Sequence, residues 1–206
     1  MCAVKAYYDR RAPEYDDWYL GTGAFAERER PGWEAELVTL QGLVAELPAA
    51  RTLDVACGTG FLSRHLHGPR TLLDQSERML EIAAERCPGA ELVRADVPPL
   101  PFADGAFERL FTGHFYGHLR EDGRALFLAE ARRVAAELVI VDSARRPGEP
   151  DEAWVERRLS DGSRHEVFKR RFDGAALAAE LGEADVLLDG DWFVVVRAVA
   201  AGRSRH

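Results

Sequence analysis

Cysteine is scarce in this chain: only Cys2, Cys57 and Cys87 are present, and no two of them make a Cys-x-x-Cys pair. This excludes a disulfide framework and the common structural zinc sites. Nowhere do ~18 apolar residues run together, as a membrane helix requires. The opening MCAVKAYYDRR has no apolar stretch behind its charges, as a secretory leader requires. The expected location is therefore cytoplasmic. A basic stripe is missing as well, and the formal net charge of −8 opposes a polyanion, so no nucleic acid partner is expected. No clear cluster of metal-ligating acids stands out, and no metal is expected. Internal repeats and low-complexity tracts are also absent.

What is present suits a soluble folded domain: 206 residues, 47% hydrophobic and 30% charged. That length supports one α/β core and leaves no room for a second full domain, so residues 1–206 read as a single unit. Residues 1–45 read as an amphipathic helical cap broken at Gly21-Thr22-Gly23. From Arg51 short β-rich runs alternate with helical stretches: RTLDVAC strand, FLSRHLH helix, RTLLD strand, SERMLEIAAERC helix, AELVRAD strand, FERLFTGH strand, DGRALFLAEARRVA helix and ELVIVDS strand. Such alternation predicts a parallel sheet with both faces covered. Residues 145–173 break the rhythm and read as an inserted hairpin turning at SDGS, a candidate substrate lid. GAALAAELG then predicts a helix, and ADVLLDG with WFVVVRAV an antiparallel strand pair. AAGRSRH reads as a frayed tail. The fold class is α/β: three layers around a Rossmann-like seven-stranded sheet, mostly parallel, closed by that antiparallel pair.

In an open parallel sheet, ligands bind beyond the carboxyl ends of the strands. Here the first strand runs into Ala56-Cys57-Gly58-Thr59-Gly60, where glycine permits a sharp turn and close approach to a ligand. The first three strands each end at an acid: Asp54, Asp74 and Asp96. Three carboxylates around one crevice repel a phosphate. They suit a ligand that offers an ammonium, a ribose diol and an exocyclic amine as donors. S-adenosyl-L-methionine has all three and no phosphate.

YYDRRAPEYDDWY, LDVACGTGFLSRHL, the acid in LLDQSERML, RADVPPLPFADGAFERL and WFVVVRA occur in the order seen in class I methyltransferases. The chain resembles that family, in particular the bacterial group similar to ubiquinone and menaquinone C-methylases. The resemblance implies S-adenosyl-L-methionine as cofactor, S-adenosyl-L-homocysteine as product, and methyl transfer to a small molecule. It also implies that Asp54 and the Gly58–Gly60 turn hold the methionine end, with Asp74 and neighbouring Gln75 at the ribose. Asp96 and the Val97 amide would take the adenine, and Tyr15 would form a lid. The first glycine of the family's turn is Ala56 here, expected to narrow the turn slightly, and Cys57 is a small filler beside it.

The fourth strand ends in Thr112-Gly113-His114-Phe115-Tyr116-Gly117-His118, where the family builds the wall between cofactor and acceptor. Thr112 is placed with the cofactor, and His114, Tyr116 and His118 with the chemistry. His114 and His118 share a face whether extended or helical, and His114 is the first choice of general base. Tyr19, Trp154 and His165 are candidate substrate contacts. The basic residues of 157–171 read first as a solvated edge that blunts strand pairing, and second as a clamp on an anionic acceptor. Two rival functions are a nicotinamide-dependent oxidoreductase, disfavoured because Ser63 replaces the third fingerprint glycine, and a silent cofactor-binding regulator. Acceptor identity, the methylated element and the choice between monomer and homodimer stay open.

Overall fold

The computed structural model describes residues 2–199, so the tail at 200–206 lies outside the described residues. The N-terminal cap is three helices joined by turns: α1 (Cys2–Arg11), α2 (Asp17–Leu20) and α3 (Trp33–Glu46). The expected break is real, because α2 stops on Gly21 in the left-handed conformation (φ 68°), which glycine adopts without a Cβ penalty.

The sheet follows with β1 (Thr52–Val55), β2 (Arg70–Asp74), β3 (Glu91–Arg94), β4 (Phe107–Gly113), β5 (Ala135–Ser143), β8 (Ala184–Asp189) and β9 (Phe193–Val199), in the order β3-β2-β1-β4-β5-β9-β8. The first five strands run parallel, and β9 is antiparallel to both β5 and β8. The order reverses beside β1, so the crevice lies over the ends of β1, β2 and β4. Helix α4 (Glu77–Arg86) opens with Ser76 accepting from the Met79 amide, as its sequence signals. Helices α5 (Glu121–Val134) and α6 (Gly174–Leu181) complete the outer layers. Strand residues serve the two faces alternately. Leu138, Ile140, Val194 and Val196 pack with Phe127 of α5 and Leu177 of α6, while Val139, Val141, Phe193 and Val195 pack with Leu40 and Val44 of α3.

The helix expected over 61–67 does not form; only a single 3₁₀ turn at Ser63–His65 is present. Seven residues separate Gly60 from Gly68-Pro69, and Leu66 is already extended. A Cβ on Gly68 would sit 2.6 Å from the Ala50 carbonyl oxygen, so the chain must leave the helical path early. Phe61, Leu62 and Leu66 are buried beneath the cap instead.

Strands β6 (Glu152–Arg158) and β7 (Arg164–Arg170) form a separate antiparallel pair. The hairpin's turn docks on the cap: the Ser160 amide donates to the Glu14 carboxylate, and the His165 and Tyr7 rings lie 4.7 Å apart. Thus the cap and the hairpin lie together over the strand ends.

Candidate active site

A cavity of about 310 Å³ opens over the ends of β1, β2 and β4. Ala56 and Gly58 form its floor, Asp74 and Gln75 one side, and Asp96 with Val97 another; Tyr8 and Tyr15 line it from the cap, and His114, Phe115, His118 and Leu119 line the far wall. Among the described residues, no Lys or Arg lines it. The turn is held by the acid at the end of β2: Gly58 N–H donates to Asp74 Oδ2 at 2.9 Å, and Ser76 N–H to Oδ1 at 2.9 Å. Burial pushes the Asp74 carboxyl up to about 6 against those amides. The Gln75 amide acts on the same carboxylate, which with about four lone-pair sites keeps capacity to accept from a ligand hydroxyl.

Gly58 (φ 55°) brings its backbone so close to Tyr15 that a Cβ would lie 3.2 Å from the ring. Ala56 has φ 57°, so its methyl group costs backbone strain on the order of 1 kcal/mol rather than the width expected from sequence. The cap is bolted to this turn: Thr59 donates to Asp16 at 2.6 Å, and Arg86 bridges Asp16 and the Thr59 carbonyl.

Several candidates sit away from the cavity wall. Asp54 is buried under the turn and accepts from Ser63, while its Oδ1 has no described partner. Burial raises its carboxyl to about 8, with the Ser63 hydroxyl opposing. Gly60 packs against Cys87 and Ala83. Burial, then Asp74 and Asp54, hold the Cys57 thiol well above its ordinary value, which fits a filler without chemistry. Thr112 donates to the Val55 carbonyl at 2.8 Å, tying β4 to β1. Tyr116 donates to Glu180 at 2.7 Å on the opposite side of its loop. Tyr19 is stacked on Phe61 at 3.9 Å in the core, and Trp154 lies 61% exposed on the outer face of the hairpin. His165 is occupied by Tyr7 and Ser163.

His114 is different. It is 7% exposed, has φ 57°, and neither ring nitrogen has a hydrogen-bond partner among the described residues. Trp18, Tyr19 and Phe193 surround its ring. A strained, buried and unsatisfied side chain on a cavity wall marks a functional position. Burial, then Lys169 and His118, push its imidazole well below the ordinary value, so it is the neutral form that faces the cavity. His118 is fixed by Phe168: its Nδ1 lies 2.6 Å from that carbonyl oxygen and is therefore the protonated nitrogen.

A small cavity of about 30 Å³, the neck, is lined by Tyr8, Arg11, Tyr15, Trp18, His114, His118, Arg157 and Lys169, and shares Tyr8, Tyr15, His114 and His118 with the first cavity. A second chamber of about 360 Å³, walled by Trp18, Trp33, Val155 and Trp192 with several cations, shares Trp18, Arg157 and Lys169 with the neck. Neither Tyr8 nor Arg11 stands out as a site residue in the sequence, because nothing local separates them from the other aromatic and basic residues of α1.

Residues 52–137 match the family model described as a methyltransferase domain. With the sheet order and the turn geometry, that match defines a class I methyltransferase fold. Residues 52–137 are thus similar to a methyltransferase domain, set in a sheet of the Rossmann-like methyltransferase order. The chain is 33% identical over 134 residues to the demethylmenaquinone methyltransferase of Thermotoga maritima, covering 62% of this chain and 54% of the relative. The same enzyme of Renibacterium salmoninarum is 31% identical over 134 residues, covering 64% and 53%. The chain thus spans about half the length of these curated relatives. Among solved structures, the DhpI–SAH complex shares the fold with a TM-score of 0.74 at 24% identity, covering 96% of this chain and 95% of that one. No helix among the described residues is long and apolar enough to cross a membrane.

Proposed function

We propose that this chain transfers a methyl group from S-adenosyl-L-methionine to a small-molecule acceptor. The observation that carries this reading is the sign of the cavity at the strand ends: Asp74 and Asp96 line it, and among the described residues no Lys or Arg does. A pyrophosphate there would meet carboxylates with nothing to neutralise it. Donors on a ribose and an adenine would meet acceptors, Asp74 taking the ribose hydroxyls and Asp96 with Val97 the adenine, under Tyr15. When bound, the cofactor supplies a methyl group on a sulfonium, whose carbon–sulfur electron pair leaves with sulfur as the acceptor's lone pair forms the new bond.

The protein's own work is positioning, exclusion of water and proton transfer. Tyr8, Tyr15 and Trp18 close the neck from the cap. His114, neutral and without a partner, takes the proton of an acceptor O–H or N–H on a ring nitrogen as the new bond forms. Calorimetric titration tests the reading. S-adenosyl-L-methionine is expected to bind in the micromolar range, at least about a hundredfold tighter than NAD, a gap of about 2.8 kcal/mol. Equal or tighter binding of NAD would contradict it.

A further inference from the structure

The second chamber is the electrostatic opposite of the first. Arg28, Arg30, Arg146, Arg157, Lys169 and Arg171 line it against only Glu29 and Glu149, in a chain whose net charge is −8. Glu149 is already committed, accepting from Arg146 and Arg171 at 2.5 Å each. Register explains how the cations gather. Arg157 stands opposite His165 and Ala153 opposite Lys169 across the hairpin, so period-two alternation turns Arg157 and Lys169 to the inner face.

The two faces of the hairpin treat their charges differently. On the outer face Arg164 pairs with Glu156 at 3.1 Å, and Arg170 pairs with Glu180 at 2.6 Å. On the inner face, the Nε of Arg157 is buried and has no hydrogen-bond partner among the described residues. Lys169 is only 7% exposed, and its nearest carboxylate oxygen, on Asp142, is 3.9 Å away. That carboxylate already accepts from the Gly117 and Ser143 amides at 2.7 Å each. Arg11 enters the same neck from the cap, where it donates to the Tyr7 hydroxyl at 2.7 Å and covers the Tyr15 ring. A solvated edge leaves cations in water. Lys169 is withdrawn from water with its carboxylate, Asp142, at the 3.9 Å limit of an ion pair and already engaged by two amides, and the buried Arg157 Nε has no partner among the described residues, which costs free energy until an anion arrives.

We propose that this chamber is the acceptor site and that it takes a small molecule bearing an oxyanion, a carboxylate or a phosphate group, held between Arg157 and Lys169 at the neck. The assignment rests on the methyltransferase reading above and names the substrate class for it. An acidic cavity takes the cationic cofactor, a basic chamber takes the anionic acceptor, and His114 lies on the wall between them. The acceptor's apolar part lies against Trp18, Trp33 and Trp192. Its anion also offsets the Lys169 charge that helps hold the His114 imidazole low, making that nitrogen a better proton acceptor when the acceptor is in place.

The test is calorimetry on the full chain saturated with S-adenosyl-L-homocysteine, titrated with benzoate, phenyl phosphate and benzyl alcohol, which share one ring and differ in charge. At least one anion is expected to bind about tenfold or more tightly than the alcohol, and the tighter of the two identifies carboxylate or phosphate as the recognised group. Arg157→Gln weakens that anion about tenfold, Arg157→Lys restores part of the loss, and Arg164→Gln on the outer face changes it less than about twofold. Anions that bind no better than benzyl alcohol, or equal effects of Arg157→Gln and Arg164→Gln, overturn the acceptor assignment and leave the methyltransferase reading intact. Failure of S-adenosyl-L-homocysteine itself to bind overturns both.

Discussion

Asp74→Ala is expected to weaken binding of S-adenosyl-L-homocysteine by about a hundredfold or more, read by calorimetry. The side chain does two jobs at once. Its carboxylate holds the Gly58 and Ser76 amides, each at 2.9 Å, so its loss frees the turn that forms the cavity floor. It is also the acceptor facing the cavity from the end of β2. A hydrogen bond to a charged group contributes about 1.5–3 kcal/mol, so one lost to a ribose hydroxyl together with the loosened turn accounts for a hundredfold, about 2.8 kcal/mol. Asp74→Asn separates the two effects: one oxygen still accepts, so it should fall between wild type and alanine. Its pH dependence has a definite sign. Burial holds Asp74 at about 6, so the acceptor carboxylate is complete above pH 6 and lost as pH falls through it; cofactor affinity should decline in the same direction. Unchanged affinity in Asp74→Ala would remove Asp74 from the site.

The second large effect is expected at His114. With cofactor saturating and an acceptor that turns over, His114→Ala should lower kcat about a hundredfold, the usual contribution of a positioned base, while the cofactor Kd moves less than about twofold. Because burial, Lys169 and His118 hold the free imidazole well below 6.5, the base stays neutral as pH falls through that value. With cofactor saturating, which keeps the titration of Asp74 out of the profile, the wild-type kcat/KM for the acceptor should therefore show no acid limb near 6.5. An unaltered kcat in His114→Ala, or a limb centred at 6.5, would assign the residue to packing among Trp18, Tyr19 and Phe193.

The contrast between these two residues shows what the sequence made legible. The alternation of strands and helices was readable because core-facing residues such as Leu138 and Ile140 interleave with Val139 and Val141, each set serving one face. Asp74, Asp96 and the glycine turn were readable because a parallel sheet brings successive strand ends to one edge. Asp54 belonged to the same pattern, yet it points beneath the turn to Ser63, a side-chain direction that strand position alone does not fix. The helix over 61–67 was misread because apolar Phe61, Leu62 and Leu66 suggest a helical face, whereas Gly68-Pro69 leaves too few residues to propagate one. The basic chamber was the least legible part. Arg157 and Lys169 lie 146 and 158 positions after Arg11, and only the docking of the hairpin on the cap brings them to one neck. In sequence the same arginines and lysine look like an edge kept soluble by charge.

Recognition of a phosphate-free adenosyl group by the strand-end carboxylates is what the proposed methyl transfer depends on. A crystal structure of the chain grown with S-adenosyl-L-homocysteine tests it most directly. The ribose hydroxyls are expected on Asp74, the adenine beside Asp96 and Val97, and the sulfur turned toward His114 and the basic neck. An empty crevice at saturating ligand, or the adenosyl group lodged elsewhere on the chain, would contradict it.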